Sequence, residues 1–231
     1  QGTQIDLYRR EIAICRLASD WILDPNKSYE VKKTYFNSRE SDYSPYFLND
    51  HQVFFSSDRN NSSSQKVYNW TGRGYSDLYM YDKNTGNVSF LDPIINTDSN
   101  EGTLSFNDQG SILYFTRCYT EADSDDFCKI FETRLQNGSW SNPQVLPFVE
   151  PNANYGHPCW IESDSAMFFS SSKSGGFGGF DLYYTRLTKE NNWDEPISLG
   201  PTINTMSDEK FPSLKNDTLF FSSNGHPGMG G

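Results

Sequence analysis

The sequence lacks several features that would assign a function directly. It has no run of 18 apolar residues, so it offers no candidate for a membrane-spanning helix. With 19 basic against 30 acidic residues, its net charge is −11, which disfavours nucleic acid and anionic lipid as partners. It contains no CxxC pair and no Gly-x-Ser-x-Gly nucleophile motif. Its three histidines, His51, His157 and His226, are too far apart to form a metal-binding helix face. We therefore expect no cofactor, no metal site and no catalytic residues.

The residues that are abundant favour an all-β fold. Hydrophobic residues make up only 35% of the chain, but aromatic residues reach 16%, so burial must rely on large rings. Gly, Ser, Asn and Asp are frequent, which indicates many turns. Short strands joined by polar turns fit this composition better than long helices do.

Internal repeats determine the architecture. Four segments share an inner strand followed by a strand of the type Phe-Phe-Ser-Ser, as at 54–57, 168–171 and 220–223. Aligned on Pro45, Leu104, Pro158 and Pro212, the repeats are 59, 54 and 54 residues apart. A period near 50 is typical of a propeller blade with four strands. The longer first step results from an insertion at residues 60–75.

These repeats predict an all-β fold, a β-propeller of four-stranded blades. The fourth unit contains only its first two strands, so we expect the natural chain to continue past Gly231. Residues 31–38 are predicted to be an outer strand that completes the last blade. The complete ring would then have five to six blades, truncated here.

The N-terminal segment differs from the repeats. Residues 4–23 show the apolar period of a helix, which Asp24 and Pro25 end. The predicted domains are therefore 1–28, the last helix of a helical repeat segment, and 29–231, an incomplete propeller.

Two cysteines are candidates for a disulfide. Cys118 and Cys128 flank a loop and terminate two predicted neighbouring strands, where antiparallel pairing can bring them together. The alternative is a pair of free, buried thiols. The acidic run 121–126 within this loop is interpreted as solvated, with calcium binding as the alternative.

Four residues are candidates for ligand contact. Tyr68 and Trp70 lie in the long insertion, and long loops on rigid scaffolds often carry recognition. His157 precedes an aligned proline and could face the central channel. Phe177 belongs to the glycine-rich run 174–179, which precedes a strand rather than the helix that a phosphate loop requires.

The last two repeats resemble a known family. The strings Phe177-Gly178-Gly179-Phe180-Asp181-Leu182-Tyr183, Ile203-Asn204-Thr205 and Phe220-Phe221-Ser222-Ser223-Asn224-Gly225 are similar to the WD40-like PD40 propeller repeats of OmpA-family proteins from Bacteroidota. The resemblance covers about residues 38–231 and is looser in the first two repeats. Relatives in that family include a peptidoglycan-associated component of the type IX secretion system.

This resemblance implies a non-enzymatic scaffold in the periplasm, associated with the outer membrane. Such proteins often carry a lipid anchor and an OmpA-like domain, neither of which is present in this chain, so peptidoglycan would be bound only through an absent domain. The expected partners are outer-membrane or periplasmic proteins.

The alternative function is a carbohydrate-binding or glycoside-hydrolysing propeller. Acidic residues recur near the first strand of the repeats, at Asp42, Glu101, Asp208 and Glu209, and two carboxylates at a fixed separation can hydrolyse sugars. Because these acids recur with the repeat, we interpret them as structural groups that bond to backbone N–H groups between blades.

Overall fold

The computed structural model describes residues 4–24, 30–59, 67–68, 72–118 and 127–228 of the chain. One helix, α1, spans Gln4–Leu23, as predicted. None of the described helical segments is long and apolar enough to cross a bilayer. The strands in the described part are β1 (Asp42–Phe47), β2 (Gln52–Ser57), β3 (Val67–Tyr68), β4 (Arg73–Gly74), β5 (Asp77–Asp82), β6 (Asn87–Phe90), β7 (Asn100–Phe106), β8 (Ile112–Cys118), β9 (Cys128–Gln136), β10 (Ser139–Trp140), β11 (Gln144–Val145), β12 (Tyr155–Ile161), β13 (Ala166–Ser171), β14 (Asp181–Arg186), β15 (Ile197–Ser198), β16 (Glu209–Lys215) and β17 (Thr218–Ser223).

The strands form propeller blades in sequence order. Blade 1 has the order β1-β2-β5-β6, and blade 3 has the order β12-β13-β14-β15. In blade 2, β7, β8 and β9 pair in order, and the outer strand is split into β10 and β11, which both pair with β9. Blade 4 is the hairpin β16-β17, and β3-β4 is a small separate hairpin. The predicted propeller of four-stranded blades with an N-terminal helix is therefore confirmed.

The predicted outer strand at residues 31–38 is wrong. The segment contains a turn in which the side chain of Asn37 accepts hydrogen bonds from the N–H and hydroxyl groups of Thr34. Val31 and Tyr35 are 99% and 98% exposed. A strand requires a partner for its backbone groups, and no strand of the described residues pairs with this segment. Phe36 alone packs inward, with its ring 5.1 Å from that of Phe55.

The core consists of two apolar layers between consecutive blades. Successive side chains of a strand point to opposite faces, so neighbouring aromatic residues enter different layers. Phe115 packs between blades 1 and 2, whereas the preceding Tyr114 packs between blades 2 and 3. The pair of aromatic residues in the repeat thus joins each blade to both of its neighbours.

The helix α1 leaves much of its apolar surface unburied. Ile12, Trp21, Ile22 and Leu23 are 53%, 42%, 64% and 80% exposed. The assignment of residues 1–28 to a helical repeat segment, separate from 29–231, stays a prediction.

Candidate functional site: an axial groove

Every inner strand carries a backbone irregularity at the same repeat position. The register of β1, β7, β12 and β16 shifts around Ser44, Thr103, His157 and Phe211, which form β-bulges. These four residues have positive φ angles of 52°, 38°, 57° and 56°. Residues other than glycine rarely adopt this conformation, and β-branched or bulky ones least of all. Each instance costs on the order of 1–3 kcal/mol and persists only where the surrounding structure holds it.

The four bulges line one groove at the propeller axis. Its volume is about 430 Å³, and all four inner strands contribute to it. Its walls combine small hydroxyl groups at the bulges with apolar side chains such as Tyr46, Leu104, Trp160 and Leu214, and with the aligned prolines. No Asp, Glu, Lys or Arg lines the groove among the described residues. The groove therefore presents a largely uncharged surface.

Hydroxyl groups of the preceding blade hold the bulges at Thr103 and His157 in place. Ser56 Oγ accepts the N–H of Thr103 at 3.1 Å, and Thr116 Oγ1 accepts the N–H of His157 at 2.9 Å. Thr116 also shares a 2.6 Å hydrogen bond with the hydroxyl of Thr103. In blades 1 and 2, the first serine or threonine after the aromatic pair thus fixes the bulge of the following blade.

His157 is a neutral group in the groove wall. Its Nδ1 is hydrogen-bonded to the hydroxyl of Ser170, and its ring lies 4.1 Å from that of Phe211. Burial lowers the pKa of His157 to about 3, and the positive charge of Lys210 acts in the same direction. The prediction that this histidine faces the channel agrees with its place in the groove wall.

The recurrent carboxylates lie at the starts of the inner strands and accept hydrogen bonds from the segments that lead into these strands. Glu101 accepts the N–H of Thr97 at 3.1 Å and its hydroxyl at 2.6 Å, and Glu209 accepts the same two groups of Thr205 at 2.8 Å each. In blade 1, Asp42 accepts both groups of Ser38. Each of these three carboxylates thus accepts hydrogen bonds from the residue four positions before it in the chain.

Glu101 is fully enclosed, as is Glu209. The Glu101 side chain is 0% exposed and forms an ion pair with Arg117 at 2.7 Å. Burial raises the pKa of Glu101, although the bonds from Thr97 and the charge of Arg117 oppose this effect. In blade 3 the residue aligned with Glu101 is Tyr155, whose ring packs against those of Phe148 and Phe169 instead.

Asp208 is engaged in a different way and is also absent from the groove lining. It accepts the N–H of Phe180 at 3.0 Å and the ammonium group of Lys210 at 3.0 Å. Burial raises its pKa, but the bonds from Lys210 and Phe180 outweigh this and leave the pKa lowered. The four acids that the hydrolase alternative invoked thus have structural partners outside the groove.

Phe177 lies outside the groove, on a fixed loop at the end where the inner strands begin. Its N–H donates to Asp181 at 2.6 Å, and the N–H of Gly179 donates to Ser207 at 2.9 Å. A Cβ atom at Gly178 would approach the Ser207 carbonyl oxygen to 2.3 Å, so the close contact with the next blade requires glycine there. The Phe177 side chain is 45% exposed.

Cys118 and Cys128 form a disulfide that closes the end of blade 2. In the other blades, the residue aligned with Cys118 is polar. Its side chain accepts a hydrogen bond from the backbone N–H of the residue directly before the inner strand. Asp58, Ser172 and Asn224 do so at 2.7, 3.0 and 2.8 Å. The disulfide therefore stands where the other blades use a polar cap.

The remaining candidates lie beyond the described structure. Trp70, the side chain of Tyr68 and the acidic run 121–126 fall outside the described residues. Conversely, sequence reasoning did not single out Ser44, Thr103 or Phe211 as groove residues. The recurrence of proline directly after three of the four bulges is the signal that could have located them.

Neither the scan of protein-family models nor the search of curated proteins finds a match for this chain. Among solved structures, the chain is similar to TolB from Acinetobacter baumannii, with a TM-score of 0.54 and 14% identity over 87% of this chain and 42% of that chain. Weaker likenesses include a hypothetical selenium-binding protein from Sulfolobus tokodaii (TM-score 0.47, 10% identity, 76% and 44% covered) and an α-L-arabinofuranosidase from Lactobacillus brevis (TM-score 0.45, 13% identity, 81% and 66% covered).

The likeness to TolB concerns the fold. At 14% identity it shows a shared β-propeller architecture and nothing about ligands or partners. This chain spans less than half of the TolB chain that it matches. Sequence repeats, blade topology and structural likeness together establish that the described strands between residues 42 and 223 form blades of a β-propeller.

Proposed function

We propose that this propeller is a non-enzymatic interaction module that binds an extended, apolar peptide segment of a partner protein in its axial groove. The observation that carries this proposal is the groove lining. Rigid aromatic and proline side chains alternate with small hydroxyl groups, and no carboxylate or cation of the described residues enters. Such a surface suits apolar side chains together with the hydrogen bonds of a peptide backbone.

Hydrolysis of a glycosidic bond would require a different arrangement. Both classes of glycosidase place two carboxyl groups on either side of the scissile bond. Here the recurrent acids accept hydrogen bonds from Ser38, Thr97, Thr205 and Phe180 rather than facing the groove. The groove geometry thus favours binding over the carbohydrate-hydrolysing alternative.

The proposed location is the bacterial periplasm, within an outer-membrane-associated assembly. The Cys118–Cys128 disulfide supports an oxidising compartment, because such bonds are rare in reducing ones. The resemblance to PD40 repeats of OmpA-family proteins supports an envelope scaffold. Contact with peptidoglycan would require a domain outside this chain.

Site-specific photocrosslinking tests the proposal. A photoreactive phenylalanine analogue replaces Phe211 in the groove or, as the matched control, Phe220 on β17, which is 55% exposed and outside the groove lining. Each protein is incubated with envelope extract, and the crosslinked peptides are identified by mass spectrometry.

The expected result is one partner protein, crosslinked through a single apolar segment, at position 211 and not at 220. A synthetic peptide of that segment should compete with the crosslink. Equal labelling at both positions, or labelling of position 211 by polysaccharide only, would overturn the proposal.

A further inference from the structure

A second cleft lies between blades 1 and 2, away from the axis. It has a volume of about 500 Å³ and is framed by the turns between the first and second strands of the two blades, at Leu48–Asn49 and Asp108–Gly110. These turns are at the opposite end of the blades from the loop of Phe177, because strands alternate in direction. The cleft shares no lining residue with the axial groove.

The floor of the cleft is apolar and rigid. Trp140 lies partly buried on the core between blades 1 and 2, with its ring 6.1 Å from that of Phe106. Met80 packs on the same core, and Phe90 lines the cleft beside it. Because the core fixes these side chains, a ligand would meet a preformed aromatic surface with little entropic cost.

The rim of the cleft is negative and has no compensating charge. Asp92 and Asp108 line it, and no Lys or Arg of the described residues does. Asp92 uses one carboxylate oxygen to accept the N–H of Ile94 at 2.9 Å, which holds it in place. Neither carboxylate forms an ion pair within the described part of the chain.

From this combination we infer that the cleft binds a basic side chain, arginine above all, from a segment of a partner protein. A guanidinium group stacks on an indole ring and pairs with carboxylates at the same time. The net charge of −11 adds a long-range attraction for cations. A neutral sugar would stack on the indole and donate hydroxyl hydrogen bonds to the carboxylates, but it would not be attracted by their negative charge. This inference does not depend on the axial groove.

Matched peptides test the charge requirement. The probe is a capped tripeptide, acetyl-Gly-Arg-Gly-amide, and its control replaces arginine with citrulline, which has the same shape without the charge. Binding is measured by calorimetry and by the shift of the Trp140 indole N–H signal in NMR spectra. We expect the citrulline peptide to bind about tenfold more weakly. Raising the salt concentration from about 0.02 M to about 0.3 M should remove most of this difference.

Protein variants locate the site. The double variant Asp92→Asn, Asp108→Asn should weaken the arginine peptide about threefold to tenfold, whereas Glu190→Gln, an exposed acid in the β14–β15 connection, should leave it unchanged. Trp140→Ala should weaken it as well, with retained folding checked by circular dichroism.

Several outcomes would overturn the inference. These are equal binding of the citrulline peptide, loss of binding in Glu190→Gln to the same extent as in the double variant, or no detectable binding at millimolar peptide. Preferential binding of a neutral oligosaccharide with a shift of the same indole signal would assign the cleft to carbohydrate instead.

Discussion

Removing the carboxylate of Glu101 should be among the most damaging single changes in the blades. Glu101→Ala deprives Arg117, whose side chain is only 13% exposed, of its ion-pair partner. It also removes the carboxylate that accepts the N–H and hydroxyl groups of Thr97. Breaking a buried ion pair on one side costs about 3–5 kcal/mol, because a charge remains buried and uncompensated. We expect the free energy of unfolding to fall by about that amount.

The matched control is Glu132→Ala in the same blade. Glu132 pairs with Arg134 at 2.6 Å, but the arginine side chain of this pair is 40% exposed. Solvent can replace the lost partner, so the expected cost is at most about 1 kcal/mol. Both variants are compared with the parent by urea denaturation, which is monitored by tryptophan fluorescence and circular dichroism.

If Glu101→Ala and Glu132→Ala lower the free energy of unfolding by the same amount within error, Glu101 does not anchor the chain as described. The double variant Glu101→Gln, Arg117→Met provides a further check. It removes both charges, so it should recover part of the stability that Glu101→Ala loses.

Three further predictions follow from the contacts described above. Reduction of the Cys118–Cys128 disulfide should lower the free energy of unfolding by about 3 kcal/mol through loop entropy. The double variant Cys118→Asn, Cys128→Ser introduces the polar cap of the other blades, so it should have a higher melting temperature in a thermal scan than the double alanine variant. Because burial depresses the pKa of His157 to about 3, the unfolded chain binds a proton first as pH falls below 6.5. Protonation of this group should therefore lower the free energy of unfolding of the parent by up to about 2 kcal/mol between pH 6.5 and 5. Urea titration at both pH values should show no such loss at this position in His157→Asn. Gly178→Ala should destabilise by about 1–3 kcal/mol through its contact with the next blade, whereas Gly228→Ala, with no atom near the added methyl group, should not.

The repeat pattern predicted the blades because it reflects two physical requirements, the filling of the inter-blade layers and hydrogen bonding to neighbouring strands. Alternating aromatic residues fill both inter-blade layers, as Tyr114 and Phe115 do, and the serines that follow bond to neighbouring strands. The helix at 4–23 was equally visible from its period. The segment 31–38 misled because a strand needs a paired neighbour, which the sequence of one segment does not reveal.

The groove was predicted only in part. His157 was identified through its proline neighbour, but Phe211, Thr103 and Ser44 were not, because their positive φ angles arise at β-bulges, of which the one at Thr103 is held by Ser56 of the preceding blade. None of these residue types favours that conformation by itself. Phe177 is exposed as a contact residue would be, but it belongs to the loop face rather than to the groove. The role of the recurrent acids was interpreted correctly as bonding to backbone N–H groups.

We propose that the axial groove binds an apolar segment and performs no hydrolysis. The most direct measurement is the affinity of the crosslinked partner segment for two variants, Phe211→Ser in the groove and Asp208→Asn outside it. We expect at least a tenfold loss for Phe211→Ser, since truncating an aromatic side chain that a partner covers typically costs about 2 kcal/mol or more, and no change for Asp208→Asn. Release of sugar product from a polysaccharide by the parent protein, abolished in Asp208→Asn, would contradict it.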